Sequence, residues 1–180
     1  MENAKGFLKP SFILKDQKCP VCARNSFDTI QLLYEIPEFG KSMFFVMKCN
    51  SCLYKKNDVM ILEEKEPSSY SIEVNGLDDM NIRIIKSSAS KVRIPGMIEL
   101  ESGSVSEGYI SNVEGVLVRL HDTLQFAAKS ELTRKQSDRI AKHIGKLEKV
   151  MKGDASLKLI IEDPTGNSAI VSEKATKKRL

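Results

Sequence analysis

Four cysteines are the only thiols in this 180-residue chain, and they fall as two pairs, Cys19-Pro20-Val21-Cys22 and Cys49-Asn50-Ser51-Cys52, with 26 residues between the pairs. Two cysteines separated by two residues wrap a tight turn that aims both sulfurs at one point, and two such turns supply the four thiolates of a closed tetrahedral zinc site. Cys19, Cys22, Cys49 and Cys52 are therefore the expected ligands of one structural Zn2+. A catalytic zinc keeps a water position open, usually with a histidine or carboxylate ligand, and neither pair has one beside it. A pair of disulfides would suit a short secreted chain, but the sequence opens Met1-Glu2-Asn3-Ala4-Lys5 with no apolar leader segment. A redox CxxC needs one pair in a βαβ setting, whereas here there are two, each in a hairpin context. The spacer exceeds the common zinc-ribbon range of about 15 to 20 residues, which implies longer strands.

No other chemistry is legible. His121 and His143 are the only histidines, one on each of two expected helices, and neither completes a second ligand set. Gly103-Ser104 and Gly108 lie near a helix start without the Lys-Ser/Thr of a phosphate loop. No Ser-His-Asp or Cys-His grouping appears, so no catalytic residue is assigned and the chain is expected not to be an enzyme.

The elements that position the cysteines follow from pattern. Residues 1 to 18 read as an extended lead-in, with Phe7, Leu8, Phe12, Ile13 and Leu14 docking on the body. Ile30 to Ile36 and Met43 to Met47 are apolar runs separated by the turn residues Pro37 to Lys41, and Val59 to Leu62 is a third, which predicts a three-stranded antiparallel zinc ribbon over 1–66. Zinc replaces a core that so small a unit cannot build. Glu63 to Ser69 marks a boundary, and beyond it the period becomes two. Tyr70-Ile72-Val74, Ile82-Ile84, Val92-Ile94 and Ile98-Leu100 are strands with one buried face, as in a small antiparallel sandwich or barrel.

At Ser111 the period becomes helical. Ser111 and Glu114 have capping-box spacing ahead of a stripe from Val113 to Ala128, and Thr133 with Gln136 opens a second helix that runs to Gly153. This helical hairpin, 112–152, is inserted into a β-domain of 67–172. Leu157, Leu159 and Ile161 alternate, Asp163 to Asn167 is a turn, and Ala169 to Val171 is expected to return antiparallel. The polar tail, 173–180, is expected to fray.

Charge decides little globally. The formal net charge is +4 at 41% apolar residues, and four thiolates around a divalent ion carry −2, which brings the loaded protein nearer +2. Distribution says more: Asn112 to Lys152 carries nine Lys/Arg against five Asp/Glu, and the last eight residues four against one. Lys135, Arg139, Lys142, Lys146 and Lys149 recur at helical spacing opposite Ile140, Ile144, Leu147 and Met151. A solvated face accounts for this stripe; an electrostatic dock for an acidic partner or for RNA phosphates is the sharper reading. Reduced cysteines and no targeting signal point to the cytoplasm, and no apolar run is long enough to span a bilayer.

The two cysteine pairs, Ile94-Pro95 followed by Met97-Ile98-Glu99-Leu100-Glu101, Val113-Glu114-Gly115 at the head of the hairpin, and Glu162-Asp163-Pro164-Thr165-Gly166-Asn167-Ser168 near the end together resemble the ZPR-type zinc-finger family, over Cys19 through Val171. The late Asp-Pro-x-Gly-Asn-Ser turn is the most specific part. The resemblance implies a zinc ribbon, similar to that of a translation initiation factor, ahead of a double-stranded β-helix with an inserted helical hairpin. It also implies a protein-binding role, since eukaryotic members are implicated in binding translation elongation factor one-alpha and assisting its folding, and are linked to receptor-kinase tails and nuclear complexes. Those members carry two modules in tandem, and this chain carries one, as archaeal members do. The motif residues Ile94, Pro95, Glu114, Gly115, Asp163, Pro164, Gly166, Asn167 and Ser168 are the candidates for partner contact. For the late turn, fold maintenance ranks ahead of contact: Gly166 supplies φ > 0, Asn167 caps the backbone and Pro164 fixes the entry.

The expected function is a binding module for a translation elongation factor, with no membrane or small-molecule partner. The alternative is an RNA- or ribosome-binding ribbon using the basic helix and tail. A metal-dependent enzyme would need an open coordination position.

Overall fold

Long runs of β-branched and aromatic residues at a period of two favour strands with one face buried, and the chain forms twelve of them among its described residues. The computed structural model describes residues 10–36, 40–63, 65–101 and 106–180. The first sheet is antiparallel and holds β1 (Pro10–Lys18), β2 (Asn25–Ile36), β3 (Gly40–Cys49) and β4 (Lys55–Ile61) in that order. β2 and β3 pair without a break from Phe27↔Cys49 to Ile36↔Gly40, the long ladder that the wide cysteine spacer requires. The sheet has four strands where three were expected. Pro10–Lys18 does not dock its apolar side chains on the body; it pairs along the open edge of β2, and Phe12, Ile13 and Leu14 stay exposed. Unpaired backbone groups on that edge take a fourth strand readily, and β1 lies at the edge of the sheet, where the missing N–H of Pro10 is tolerated. Asp16, at φ 55, sits within the irregular register, and its N–H donates to Asp28 Oδ1 at 3.1 Å. Phe7, Leu8 and the turn residues 37–39 lie outside the described residues.

Eight further strands make two more antiparallel sheets: β5 (Ser68–Asn75), β6 (Arg83–Lys86), β7 (Lys91–Ile94), β8 (Ile98–Leu100), β9 (Tyr109–Asn112), β10 (Ser156–Asp163), β11 (Ala169–Val171) and β12 (Thr176–Arg179). Their orders are β12-β5-β10-β7-β8 and β11-β6-β9. The helices α1 (Val113–Ala127) and α2 (Arg134–Met151) are inserted between β9 and β10. One core takes Ile72, Val74, Leu159 and Ile161 from the larger sheet, Ile84 and Ile170 from the smaller, Leu117 and Leu120 from α1 and Leu147 from α2. The fold is mainly β with an inserted helical hairpin, as the periodicity implied.

Three expectations are corrected here. β11 does not return beside β10, whose two edges are already taken by β5 and β7; it crosses to the other sheet and pairs with β6. The tail is not frayed, because Thr176–Arg179 covers the outer edge of β5, with Lys177 Nζ 5.5 Å from the Tyr70 ring centroid and Arg179 Nε 3.0 Å from Glu66. The first helix is capped by Asn112 rather than Ser111: Ser111 pairs with Ile84 in β9, and the Asn112 side chain accepts the Gly115 N–H at 2.9 Å. The Thr133–Gln136 capping box on α2 forms as read.

The ribbon joins this body through a second apolar cluster of Ile36, Ile61 and Ile85, with Phe44 against it. Alternation along β6 does the joining: Ile84 faces the main core and its neighbour Ile85 faces the ribbon. The Gly108 N–H donates to Asp58 Oδ1 at 2.7 Å, and a Cβ there would run into the Val59 carbonyl, so β4 lies hard against the segment leading into β9.

Candidate metal centre

The two cysteine turns have one conformation used twice. In the first, Cys19 N–H donates to Arg24 O at 2.8 Å and Ala23 N–H to Cys19 O at 3.0 Å; in the second, Cys49 N–H donates to Tyr54 O at 2.8 Å and Leu53 N–H to Cys49 O at 3.0 Å. The residue after each pair is left-handed, Ala23 at φ 59 and Leu53 at φ 60. Such a conformation costs a side-chain-bearing residue roughly 1 to 2 kcal/mol, and both turns hold it because the flanking bonds fix the chain on either side. The second turn is tied to β2 as well: Asn50 N–H donates to Ser26 O at 2.8 Å, and Asn50 Nδ2 to Asp28 Oδ2 at 2.9 Å. The Asn50 amide, followed by the Asp16 N–H, holds the Asp28 carboxyl below its ordinary range.

The four sulfurs lie within 4.8 Å of one another, with Cys19 Sγ 3.8 Å from Cys52 Sγ and Cys22 Sγ 3.7 Å from Cys49 Sγ. A tetrahedron of sulfurs around zinc at about 2.3 Å has edges of about 3.8 Å, so the donor set fits the ion. All four cysteines are free thiols, at separations far above the roughly 2.0 Å of a disulfide. Backbone N–H groups of Val21 and Cys52 point at Cys19 Sγ and Cys49 Sγ, each at 3.4 Å, and the Ser26 hydroxyl lies 3.3 Å from Cys49 Sγ. The Ser26 contact brings the Cys49 thiol down to about 6. Cys52 goes the other way: the Tyr54 N–H favours its thiolate, yet burial and the three neighbouring sulfurs push it up to about 12. Four thiolates in one place repel one another, and a divalent cation relieves that repulsion. Cys19, Cys22, Cys49 and Cys52 are the ligands of one structural zinc ion, and four sulfurs complete its shell.

The other residues singled out by sequence stand apart from this centre. Ile94 is buried in the core, and Ile94-Pro95-Gly96-Met97 is the tight turn from β7 to β8, closed by Met97 N–H to Ile94 O at 3.0 Å. Glu114 is exposed in the first turn of α1, and Gly115 receives the Asn112 cap. Asp163 has no exposed surface and gathers four donors: Thr165 N–H at 2.8 Å and its hydroxyl at 2.7 Å on Oδ1, and the Ser168 and Ser87 hydroxyls at 2.6 and 2.8 Å on Oδ2. Gly166, at φ 68, is pressed on the Glu66 carbonyl where a Cβ would not fit, so this turn pins the strand-to-strand linker at 65–67. Pro164 is exposed at the turn entry; the expected Asn167 cap does not form, since its buried Oδ1 has no hydrogen-bond partner among the described residues.

Lys135, Arg139, Lys142, Lys146 and Lys149 are all exposed on α2, and among the described residues none forms an ion pair. His143 lies among them, its pKa lowered by burial and then by Arg139, Lys142 and Lys146. His121 reaches across the hairpin to Glu148 at 3.3 Å. Gly103 and Ser104 lie outside the described residues.

Sequence reasoning missed two buried polar sites. Ser87 completes the Asp163 network, its N–H donating to Ser168 Oγ at 2.9 Å. Asp79, 1% exposed, is held by Lys174 Nζ at 2.6 Å and by the Asn75 N–H at 2.7 Å. Neither carries a spacing signal, because each partner comes from 75 or more positions away for the side-chain bonds.

Comparison with known proteins adds to this geometry. The family profile of the ZPR1 jelly-roll domain matches residues 78–179. An uncharacterized ZPR1-like protein of Pyrococcus horikoshii is 35% identical over 180 positions, covering 96% of this chain and 81% of that protein. A second, from Methanocaldococcus jannaschii, is 34% identical over 157 positions, covering 86% and 79%. The protein named zinc finger chaperone zpr1 of Schizosaccharomyces pombe is 31% identical over 160 positions, covering 84% of this chain and 33% of its own length.

Proposed function

The chain belongs to the ZPR1 family, and on that premise we propose that it is a non-enzymatic, cytoplasmic protein-binding module that grips translation elongation factor one-alpha or a folding intermediate of it. The observation that carries this reading is the alignment of 84% of the chain with a protein named a zinc finger chaperone. The disposition of reactive groups supports it. The four thiols are committed to one metal site, Asp163 and Asp79 are consumed by internal hydrogen bonds, and His121 bridges two helices. Chelation by four thiolates shapes a rigid surface and leaves no coordination position for a substrate.

Affinity purification of the zinc-loaded chain from its native host, followed by mass spectrometry, tests the proposal. Enrichment of a translation GTPase is expected; repeated recovery of none overturns it. The unpaired cations of α2 favour a second reading, RNA binding, and salt separates the two. Five phosphate contacts on a single strand give a slope near −3.5, roughly, in log affinity against log salt, whereas a protein client held by apolar surface tolerates the same change.

A further inference from the structure

A cleft of ≈ 620 Å³ opens between β7–β8, β9 and α1, with the half-buried Leu100 on its wall and the core residues Val92, Val116 and Leu120, at most 1% exposed, beneath it. It meets a second hollow of ≈ 310 Å³, between β4 and β9, where Phe44, Val59 and Ile110 supply the apolar wall. The two adjoin at Glu107, Tyr109 and Arg119, which line both. The Arg119 guanidinium stacks on the Tyr109 ring, 4.5 Å from its centroid, and Lys86 Nζ lies 5.7 Å from the same centroid. Lys86 is 6% exposed and satisfies its ammonium with neutral oxygens: Ser87 O at 2.9 Å, Ser106 Oγ at 3.0 Å and Glu107 O at 3.5 Å. Glu101, Glu107 and Asp122 border the cleft, Asp58 and Glu107 border the second hollow, and the Asp163 and Asp58 charges act on Lys86 through space; among the described residues no carboxylate comes within ion-pairing distance of Lys86 or Arg119. Two cations are thus gathered around one ring, and among the described residues the guanidinium's planar fork of donors has no hydrogen-bond partner. The path runs along β9, which among the described residues pairs only with β6, while β4 packs against the segment leading into it; such an edge offers backbone donors and acceptors to an extended chain.

We propose that this track is a docking groove for an extended peptide in which an acidic side chain is flanked by aliphatic ones. Arg119 receives the carboxylate, and Leu100 on one side and Phe44 and Ile110 on the other meet the flanking side chains. The inference rests on the reading of the chain as a protein binder, and not on the identity of the client.

The probe is a fluorescein-labelled octapeptide alternating leucine and glutamate, with counterparts carrying glutamine or lysine in place of glutamate, titrated by fluorescence anisotropy against the zinc-loaded chain. A charge-assisted, bidentate contact should make the glutamate peptide bind at least about tenfold tighter than the glutamine one. Arg119→Glu, at an exposed position, should erase that preference, and Lys142→Glu with Lys146→Glu on α2 should leave it intact. Ile110→Arg, which blocks the second hollow, serves where Arg119→Glu fails to fold. Equal binding of all three peptides, a preference for the lysine peptide, survival of the preference in Arg119→Glu, or its loss in the α2 variant would each overturn the proposal. If the wild-type chain captures the elongation factor but shows no preference among the three peptides, this groove falls and the client reading stands.

Discussion

Asp163→Asn separates a turn kept for the fold from a turn kept for a partner. The carboxylate is fully buried and accepts four hydrogen bonds, two on each oxygen. Burial acts to raise its pKa, but the bonds from Ser168, Thr165 and Ser87 outweigh it and hold the group below the ordinary range. Asparagine keeps an oxygen for the two Thr165 donors and turns an amide toward two hydroxyls, which must then rotate to accept. A hydrogen bond to a charged group contributes about 1.5 to 3 kcal/mol and a neutral one about 1. Two bonds reversed and two weakened amount to a loss of about 2 to 4 kcal/mol at pH 7, or roughly 5 to 15 °C in Tm for a chain of this length. The folded pKa is depressed, so the stabilisation is present above the unfolded value of about 3.9 and is lost as pH falls through the folded one. Urea unfolding followed by circular dichroism should therefore show the full gap between variant and wild type at pH 7 and a closing gap below about pH 3.9. A variant within about 0.5 kcal/mol of wild type at pH 7, or a gap indifferent to acid, would refute the structural role and leave partner contact as the reason for the motif.

Two further outcomes follow from the same coordinates. Removal of zinc by a strong chelator, or Cys49→Ser, should unfold the ribbon and leave residues 68–180 folded on their own core; limited proteolysis read by mass spectrometry checks this, and simultaneous digestion of both parts refutes it. Lys174→Ala should strand the buried Asp79 carboxylate and lower the urea midpoint, the exposure of the lysine end keeping the loss below that of a fully buried pair; an unchanged urea midpoint would show that the segment before β12 is not anchored there.

The metal ligands were legible because spacing alone encodes them: Cys-x-x-Cys needs only local turn geometry to aim two sulfurs together. Buried faces such as Ile72-Val74 and Leu157-Leu159-Ile161 were legible for a similar reason, since alternation is a property of the strand itself. What failed was anything decided by a distant backbone edge. Phe12, Ile13 and Leu14 look like residues seeking a core, but an open edge on β2 took the backbone and left them exposed. Lys177 and Arg179 look like a solvated tail, but β5 had a free side, and the long aliphatic stems can cover it while their charges reach water. Ala169–Val171 reads as a hairpin return until both sides of β10 are known to be taken. The Asn112 cap was a choice between neighbours: Ser111 and Asn112 both pair with β6, through Ile84 and Arg83, and it is the Asn112 side chain that accepts the Gly115 N–H.

The distance between the zinc centre and the seam explains why the metal can matter to a surface without touching the jelly-roll core. From Phe27↔Cys49 to Ile36↔Gly40 the β2–β3 ladder is continuous, nine steps of about 3.4 Å each, or a strut of about 30 Å. At one end Ile36 and Ile61 clamp Ile85 of the body; at the other the cysteine turns hold Val21 and Leu53, both more than 60% exposed. Apolar side chains projecting from left-handed turns would not keep their places in a free hairpin, whereas four thiolates on one ion fix both turns at once. The seam requires no metal, since its contacts are Ile36, Ile61, Phe44 and the Gly108–Asp58 bond. Metal loss should therefore disorder the far tip first and progress toward the seam, and a client gripped by both tip and body would lose one of its two contacts while keeping the other.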